Sequence, residues 1–319
     1  EIEAARNRLQ SMPGFEVLAL HGGLSLKDQS RVFKPGPKRR IILSTNVAET
    51  SLTLPNIRTV VDSGLVRRTR YHHGRGYLTL GPIALDSADQ RSGRAGRLGP
   101  GLCLRLWRDD GELYPRTPPE IHRESLIPLV LAAAACGHPG LELPFLDPPK
   151  DYAVADARQA LEELGALDGG GALTERGGRM FGLPIDPSLA RLLIEAESRG
   201  ILDRVLPLCA ALGVGRSLFA GRPEDLDNDL RHEGCDMLGA VRAVLEGDPD
   251  RNRLDPRTLK ETRAMLKRLQ RIWRIEGSFH VATQRDRKEI ALCVMAAWPR
   301  AAHVARRRIT AVYRFVCIF

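Results

Sequence analysis

The opening third of the chain alternates two kinds of segment, and this alternation limits the possible folds more than any other feature. "LSLKDQSRVF" (24–33) is amphipathic with a helical period, and Pro35 and Pro37 stop it. "RRIILST" (39–45) and "IRTVVDS" (57–63) are β-branched apolar runs of the kind found in strands buried in a parallel sheet, and "GLCLRLW" (101–107) is a further strand. Strands alternating with helical segments predict an α/β layer structure around a parallel sheet. Such sheets gather ligands at the carboxyl ends of their strands. Chemistry is therefore expected in the loop after "IILST" and in the segment before "GLCLRLW".

From about residue 120 the character becomes helical. "IHRESLIPLVLAAAAC" (121–136) is apolar and alanine-rich, and "LELPFLDPPK" (141–150) is a proline-punctuated connector. "DYAVADARQALEELGAL" (151–167) reads as a helix with Gly165 near its end. "DGGGALTERG" (168–177) reads as a tight turn with a short strand on each side. A helix followed by a small β-wing is the grammar of a winged helix; a helix with a glycine-rich loop is the alternative. Residues 186–275 give further helices, interrupted at "GDPDRNRLDP" (247–256). The final "ARRRITAVYRFVCIF" is basic and then β-prone, and it reads as the beginning of a truncated module.

Composition narrows the partners. No apolar run reaches the roughly 18 residues of a membrane span, so a soluble chain without membrane partners is expected. The first line, "EIEAARNRLQ", is charged and lacks the apolar core of a secretory signal. Cys103, Cys136, Cys209, Cys235, Cys293 and Cys317 are scattered with no CxxC pair, which suits a reducing cytoplasm and predicts neither zinc nor disulfides. The net charge of +9 is unevenly spread: residues 1–110 carry +8, residues 111–284 carry −5 and residues 285–319 carry +6. Two basic ends around an acidic middle suit a polyanionic partner, although surface arginine also serves solubility.

"SADQRSGRAGRLGPG" (87–101) spaces Arg91, Arg94 and Arg97 by three and places Gly93 and Gly96 between them. In a helix that step turns about 300°, so the guanidinium groups would form a slowly drifting stripe. Each helical glycine costs roughly 1 kcal/mol relative to alanine. That cost suggests a close approach to the backbone; a solvated basic face is the other reading. "STNVAETSLTLPN" (44–56) follows a strand and is rich in hydroxyls and amides, which are donors for phosphate oxygens as well as ordinary turn formers. His72 and His73 lie in a basic turn and read as solvated rather than as metal ligands.

These segments resemble a known family. "STNVAETSLT" and "QRSGRAGR" resemble motifs V and VI of the DEAH/RHA type of superfamily 2 helicases, and "LHGGLSLKDQ" (20–29) resembles the motif ahead of them. "VVDSGLVRRTRY", "SADQRSGRAGRLGPGLCLRLW" and "LPIDPSLARLL" are most similar to the bacterial HrpB-type branch. The resemblance is strong over residues 1–200 and looser to about 308.

The resemblance implies a second RecA-like domain (1–115), a winged helix (116–185), a helical ratchet-like domain (186–284) and the start of a C-terminal module (285–319). Gln90 would position the water that attacks the γ-phosphate. Gly93, Arg94 and Arg97 would meet the triphosphate, at least one arginine as a finger. Ser44, Thr45, Asn46 and Thr50 would touch the nucleic-acid backbone, and Arg67, Arg68 and Arg70, in the family's hook-turn region, are further phosphate contacts. In many relatives an acidic residue just after "SLTI" contacts the ribose; here that position is Pro55. The chain contains neither a GxxxxGK[ST] phosphate loop nor a DExH box. Its ATP and Mg²⁺ would therefore be held mainly by a first RecA-like domain outside this sequence, and the chain alone is expected to be inactive. The implied activity is ATP-dependent helicase or translocase action, 3′→5′, on single-stranded RNA or DNA, with RNA preferred. A non-catalytic nucleic-acid-binding adaptor that keeps a helicase-like half is the alternative.

Overall fold

The computed structural model describes residues 1–49, 53–72, 75–107, 113–219, 236–249 and 253–301. The chain divides into two compact units, Glu1–Glu124 and a second that begins at Ser125.

In the first unit the order is α1 (Ile2–Leu9), β1 (Phe15–Leu20), α2 (Leu26–Ser30), β2 (Arg39–Ser44), β3 (Thr59–Asp62), β4 (Leu65–His72), β5 (Arg75–Pro82), α3 (Leu85–Ser92) and β6 (Leu102–Arg105). β1 and β2 pair in parallel from Phe15 opposite Arg39 to Leu20 opposite Ser44, and the Arg39 guanidinium lies over the Phe15 ring at 5.0 Å. β3 and β6 pair in parallel from Thr59 opposite Leu102 to Asp62 opposite Arg105. The expected parallel pairing of β-branched runs is thus found, as two separate two-stranded pairs among the described residues.

Leu18, Leu20 and Val32 form a small core, with Ile42, Val47, Ala48 and Leu54 packed on it. α2 starts at Ser25, whose hydroxyl accepts the Asp28 amide, and its chain continues as a 3₁₀ turn over Arg31–Phe33 before Pro35.

The β4–β5 hairpin begins in the segment expected to be a phosphate-contacting hook, residues 65–76, and extends past it to Pro82. Its register sets Arg67 opposite Leu80, Arg68 opposite Thr79 and Arg70 opposite Tyr77. Because strand residues alternate sides, Arg67 and Arg68 take opposite faces of the hairpin.

The second unit contains α4 (Ile127–Ala135), α5 (Asp151–Glu163), α6 (Glu175–Phe181), α7 (Pro187–Ser198), α8 (Leu202–Gly213), α9 (Asp236–Glu246), α10 (Pro256–Ile272) and α11 (Arg287–Ala297). α8 packs against α7, α9 and α10, and α11 packs on α7. Leu192, Leu206, Leu238, Leu259, Leu269 and Ile290 are among the large buried side chains that close this core. Asp186 and Asp255 cap α7 and α10 through the Ser188 and Thr258 amides, each followed by a proline in the first turn. The expected pair of strands around residues 168–177 reduces to one antiparallel bridge, Leu167 to Leu173. Asp168 Oδ1 accepts the Gly170 and Ala172 amides inside that turn, and Thr174 caps α6 instead of extending a strand. Among the described residues no helix is long and apolar enough to cross a membrane.

Candidate functional site

The site builds from the ends of β2 and β3 and from α3. Ser44 closes β2, and its hydroxyl donates to the Leu20 carbonyl at 3.1 Å, which ties the carboxyl ends of β1 and β2 together. Thr45 Oγ1 accepts the Val47 amide and starts a 3₁₀ turn, Asn46–Ala48, that ends at Glu49. Ser44, Thr45 and Asn46 are exposed on this strand-end turn, where the sequence placed them. Thr50 lies outside the described residues.

α3 begins after extended Ala84, with Asp86 in its first turn where a carboxylate suits the helix dipole. Asp86 accepts the Thr117 amide at 2.9 Å and the Thr117 hydroxyl at 3.0 Å, so it also fixes the segment beyond β6. Burial works against the Asp86 charge, but the hydrogen bonds from Thr117 and Ser87, and the Arg68 charge, hold its carboxyl below the usual range.

The helix ends at Ser92 with Gly93 as its cap, and residues 94–98 form turns. The expected continuous stripe of arginines is corrected accordingly. Only Arg91 belongs to the helix, because two glycines within four residues remove too much helical propensity for it to continue. Within the chain itself, no other described element closes on Gly93 or Gly96. A Cβ at Gly96 would meet nothing within 4 Å, and one at Gly93 would meet only carbonyls of its own helix. The tight contact is at Gly101, where a Cβ would lie 2.2 Å from the Ala95 carbonyl oxygen.

Arg91 turns inward. Its Nε donates to Glu49 Oε2 at 2.9 Å, and its Nη1 donates to Asp62 Oδ1 at 2.7 Å. Its side chain is 15% exposed and that of Asp62 is 1% exposed. Burial opposes the Arg91 charge, yet hydrogen bonds and attraction from Asp62 and Glu49 outweigh it and hold the guanidinium above its ordinary range.

Arg94 donates through Nη2 to the backbone carbonyl of Glu49, and the Glu49 carboxylate also accepts the Ser87 hydroxyl. Glu49 is the residue that sequence reasoning missed. It stands within the quoted "STNVAETSLT", but a lone carboxylate beside hydroxyls carries no sign of its distant partners.

Gln90, Gly93, Arg94 and Arg97 line an open recess of about 410 Å³. Gln90 and Arg97 are exposed. The lining offers amide and guanidinium donors and no carboxylate, a set suited to phosphate oxygens rather than to a metal ion. Of the hook arginines, Arg67 is exposed and lies 3.2 Å from Glu1, whereas Arg68 is close enough to Asp86 to favour its charged form. The Arg70 side chain and His73 lie outside the described residues.

Comparison with known proteins agrees with this layout. Residues 1–99 match the helicase conserved C-terminal domain, and residues 186–276 match the ratchet-like helicase associated domain, HA2. The chain is 39% identical over 209 residues to the ATP-dependent RNA helicase HrpA of Escherichia coli, covering 62% of this chain and 16% of that protein. It is 38% identical over 212 residues to the pre-mRNA-splicing factor ATP-dependent RNA helicase prp22 of Schizosaccharomyces pombe, covering 64% and 18%. Two crystal structures of Escherichia coli HrpB, described as a DExH-box NTPase and as a DEAH/RHA helicase, superpose with TM-scores of 0.72 and 0.76 at 28% identity. They cover 96% of this chain, which corresponds to 35% and 36% of theirs. The chain therefore spans less than a fifth of the curated relatives it matches.

Proposed function

Because the chain is a C-terminal portion of a DEAH-box helicase, we propose that it supplies the arginine side of an ATPase site in an ATP-dependent RNA helicase or translocase. The observation that carries this reading is the recess in which Gln90, Arg94 and Arg97 converge beside Gly93, while Arg91 of the same motif is withdrawn into ion pairs. Arg94 and Arg97 present planar, multi-donor forks to the phosphates of ATP, and a facing first RecA-like domain would supply most of the contacts to ATP and to Mg²⁺. Gln90 orients the attacking water.

Phosphoryl transfer passes through a loose transition state with charge spread over the equatorial oxygens, and a finger at that point is worth about 10³ to 10⁵ in rate. Ser44, Thr45 and Asn46 meet a single strand from the turn at the end of β2, Thr50 of the same motif does so with them, and Arg68 and Arg70 add phosphate contacts. α4–α6 with the Leu167–Leu173 bridge form the winged helix, and α7–α10 form the ratchet-like domain. The protein works in the cytoplasm.

The test is ATP turnover by the full-length protein, or by this chain with a first RecA-like domain supplied in trans. Arg97→Ala is expected to lower kcat by orders of magnitude with little change in KM, because a finger acts on charge that develops in the transition state. Arg97→Lys restores little, since an ammonium group cannot span two oxygens as the fork does. Wild-type turnover in Arg97→Ala would overturn the assignment.

A further inference from the structure

Glu49 joins the strand-end turn to the arginine segment through three separate polar contacts. Oε1 accepts the Ser87 hydroxyl from the first half of α3, and Oε2 accepts Arg91 Nε from its last turn. The backbone carbonyl of the same residue accepts Arg94 Nη2, beyond the end of the helix. On the other side Glu49 closes the 3₁₀ turn Asn46–Ala48, which leads directly from Ser44 and Thr45 at the end of β2. The Glu49 side chain is 13% exposed, and Arg91 is itself braced on nearly inaccessible Asp62. The carboxylate is thus clamped at two points on one helix, and the clamp fixes where its own carbonyl lies.

We propose that Glu49 is the positioning residue for Arg94: its carboxylate, held by Ser87 and Arg91, sets the backbone carbonyl on which the Arg94 fork is aimed. This inference rests on the reading of Arg94 as a phosphate-facing arginine. Its physical basis is that a flexible arginine side chain reaches a reacting phosphate productively only when its approach is restricted, and a misplacement of about 1 Å can cost on the order of 100-fold in rate.

The experiment is a double-mutant cycle in the full-length protein, with steady-state ATP turnover in the presence of a single-stranded homopolymer. Glu49→Gln keeps the backbone carbonyl as an acceptor but breaks the charged clamp that fixes its position, and it is expected to lower kcat by roughly tenfold, with KM for ATP and strand affinity within about twofold. Ser87→Ala, a milder change that keeps the ion pair with Arg91, is expected to lower kcat in the same direction by less. In an Arg94→Ala background, Glu49→Gln should produce no further loss, because it acts through the residue already removed. Independent, multiplying losses in the cycle would overturn the proposal and leave Glu49 a general support of the fold. Full kcat in both Glu49→Gln and Ser87→Ala would overturn it as well. If Arg94→Ala alone kept wild-type kcat, the underlying reading of Arg94 would fall and this inference with it, an outcome told apart by that single variant.

Discussion

Arg91 and Arg97 are the same residue type in one motif, and the fold gives them opposite duties. Arg91 is braced between Glu49 and Asp62, partners 42 and 29 positions distant in sequence, whereas Arg97 is exposed at the recess. Removing one member of a buried ion pair leaves the other charge uncompensated, a loss of about 3 kcal/mol or more. Arg91→Ala is therefore expected to destabilise the first unit by about that amount, while Arg97→Ala stays within about 0.5 kcal/mol of wild type. Urea denaturation can be read at Trp107, the indole packed against Gly64, with Trp273 and Trp298 changed to phenylalanine. Equal stability losses in the two variants would return the stretch to a collective basic surface. The sequence identified the arginines as a group but not their division, because nothing in a spacing of three says which guanidinium finds a carboxylate. Cys209 is a second contrast at this scale. Burial pushes its thiol up to about 12, so native-state thiol labelling should reach exposed Cys136 well before Cys209.

At the scale of elements, α3 carries a pH dependence through Asp86. Its folded-state pKa lies below the unfolded one, so its stabilising effect is fully present above the unfolded value of about 3.9 and fades as pH falls through the folded value. Asp86→Asn should be less stable than wild type at neutral pH, and the gap should close in acid melts below about pH 4. A gap that stayed constant with pH would assign the loss to packing instead. In the second unit, a Cβ at Gly177 would sit 2.1 Å from the Ala166 carbonyl oxygen, the acceptor that Thr174 uses to enter α6. Gly177→Ala is expected to lower the melting temperature of that unit, whereas Gly178→Ala, with its nearest outside atom at 4.0 Å, should not. Helix starts marked by aspartate and proline, as at Asp186 and Asp255, were legible because capping is local. The passage of α8 through Pro207 was not, since only burial among α7, α9 and α10 offsets the lost hydrogen bond.

For the whole molecule, the uneven charge predicts weak, sequence-tolerant binding to single strands that falls steeply with salt. Replacing Arg67 and Arg68 together should reduce the log–log salt slope by about 0.7 units rather than about 1.4, because each contact to a single strand is worth about 0.7 and the hairpin register sets Arg67 on the opposite face from Arg68. Arg67→Ala alone should leave the slope unchanged, and a loss of about 0.7 units would refute that division. Sequence by itself determined the α/β first unit, the helical second unit and the motif positions, all of which depend on local period, capping and residue type. It also placed Ser44, Thr45 and Asn46 at a strand end. Only the tertiary structure decided that the arginine stretch breaks at Gly93, that Arg91 turns inward, and that Glu49 links the two motifs. Those outcomes depend on contacts between residues tens of positions apart, and pairing across such distances is set by how strands and helices pack rather than by the order of residues along the chain.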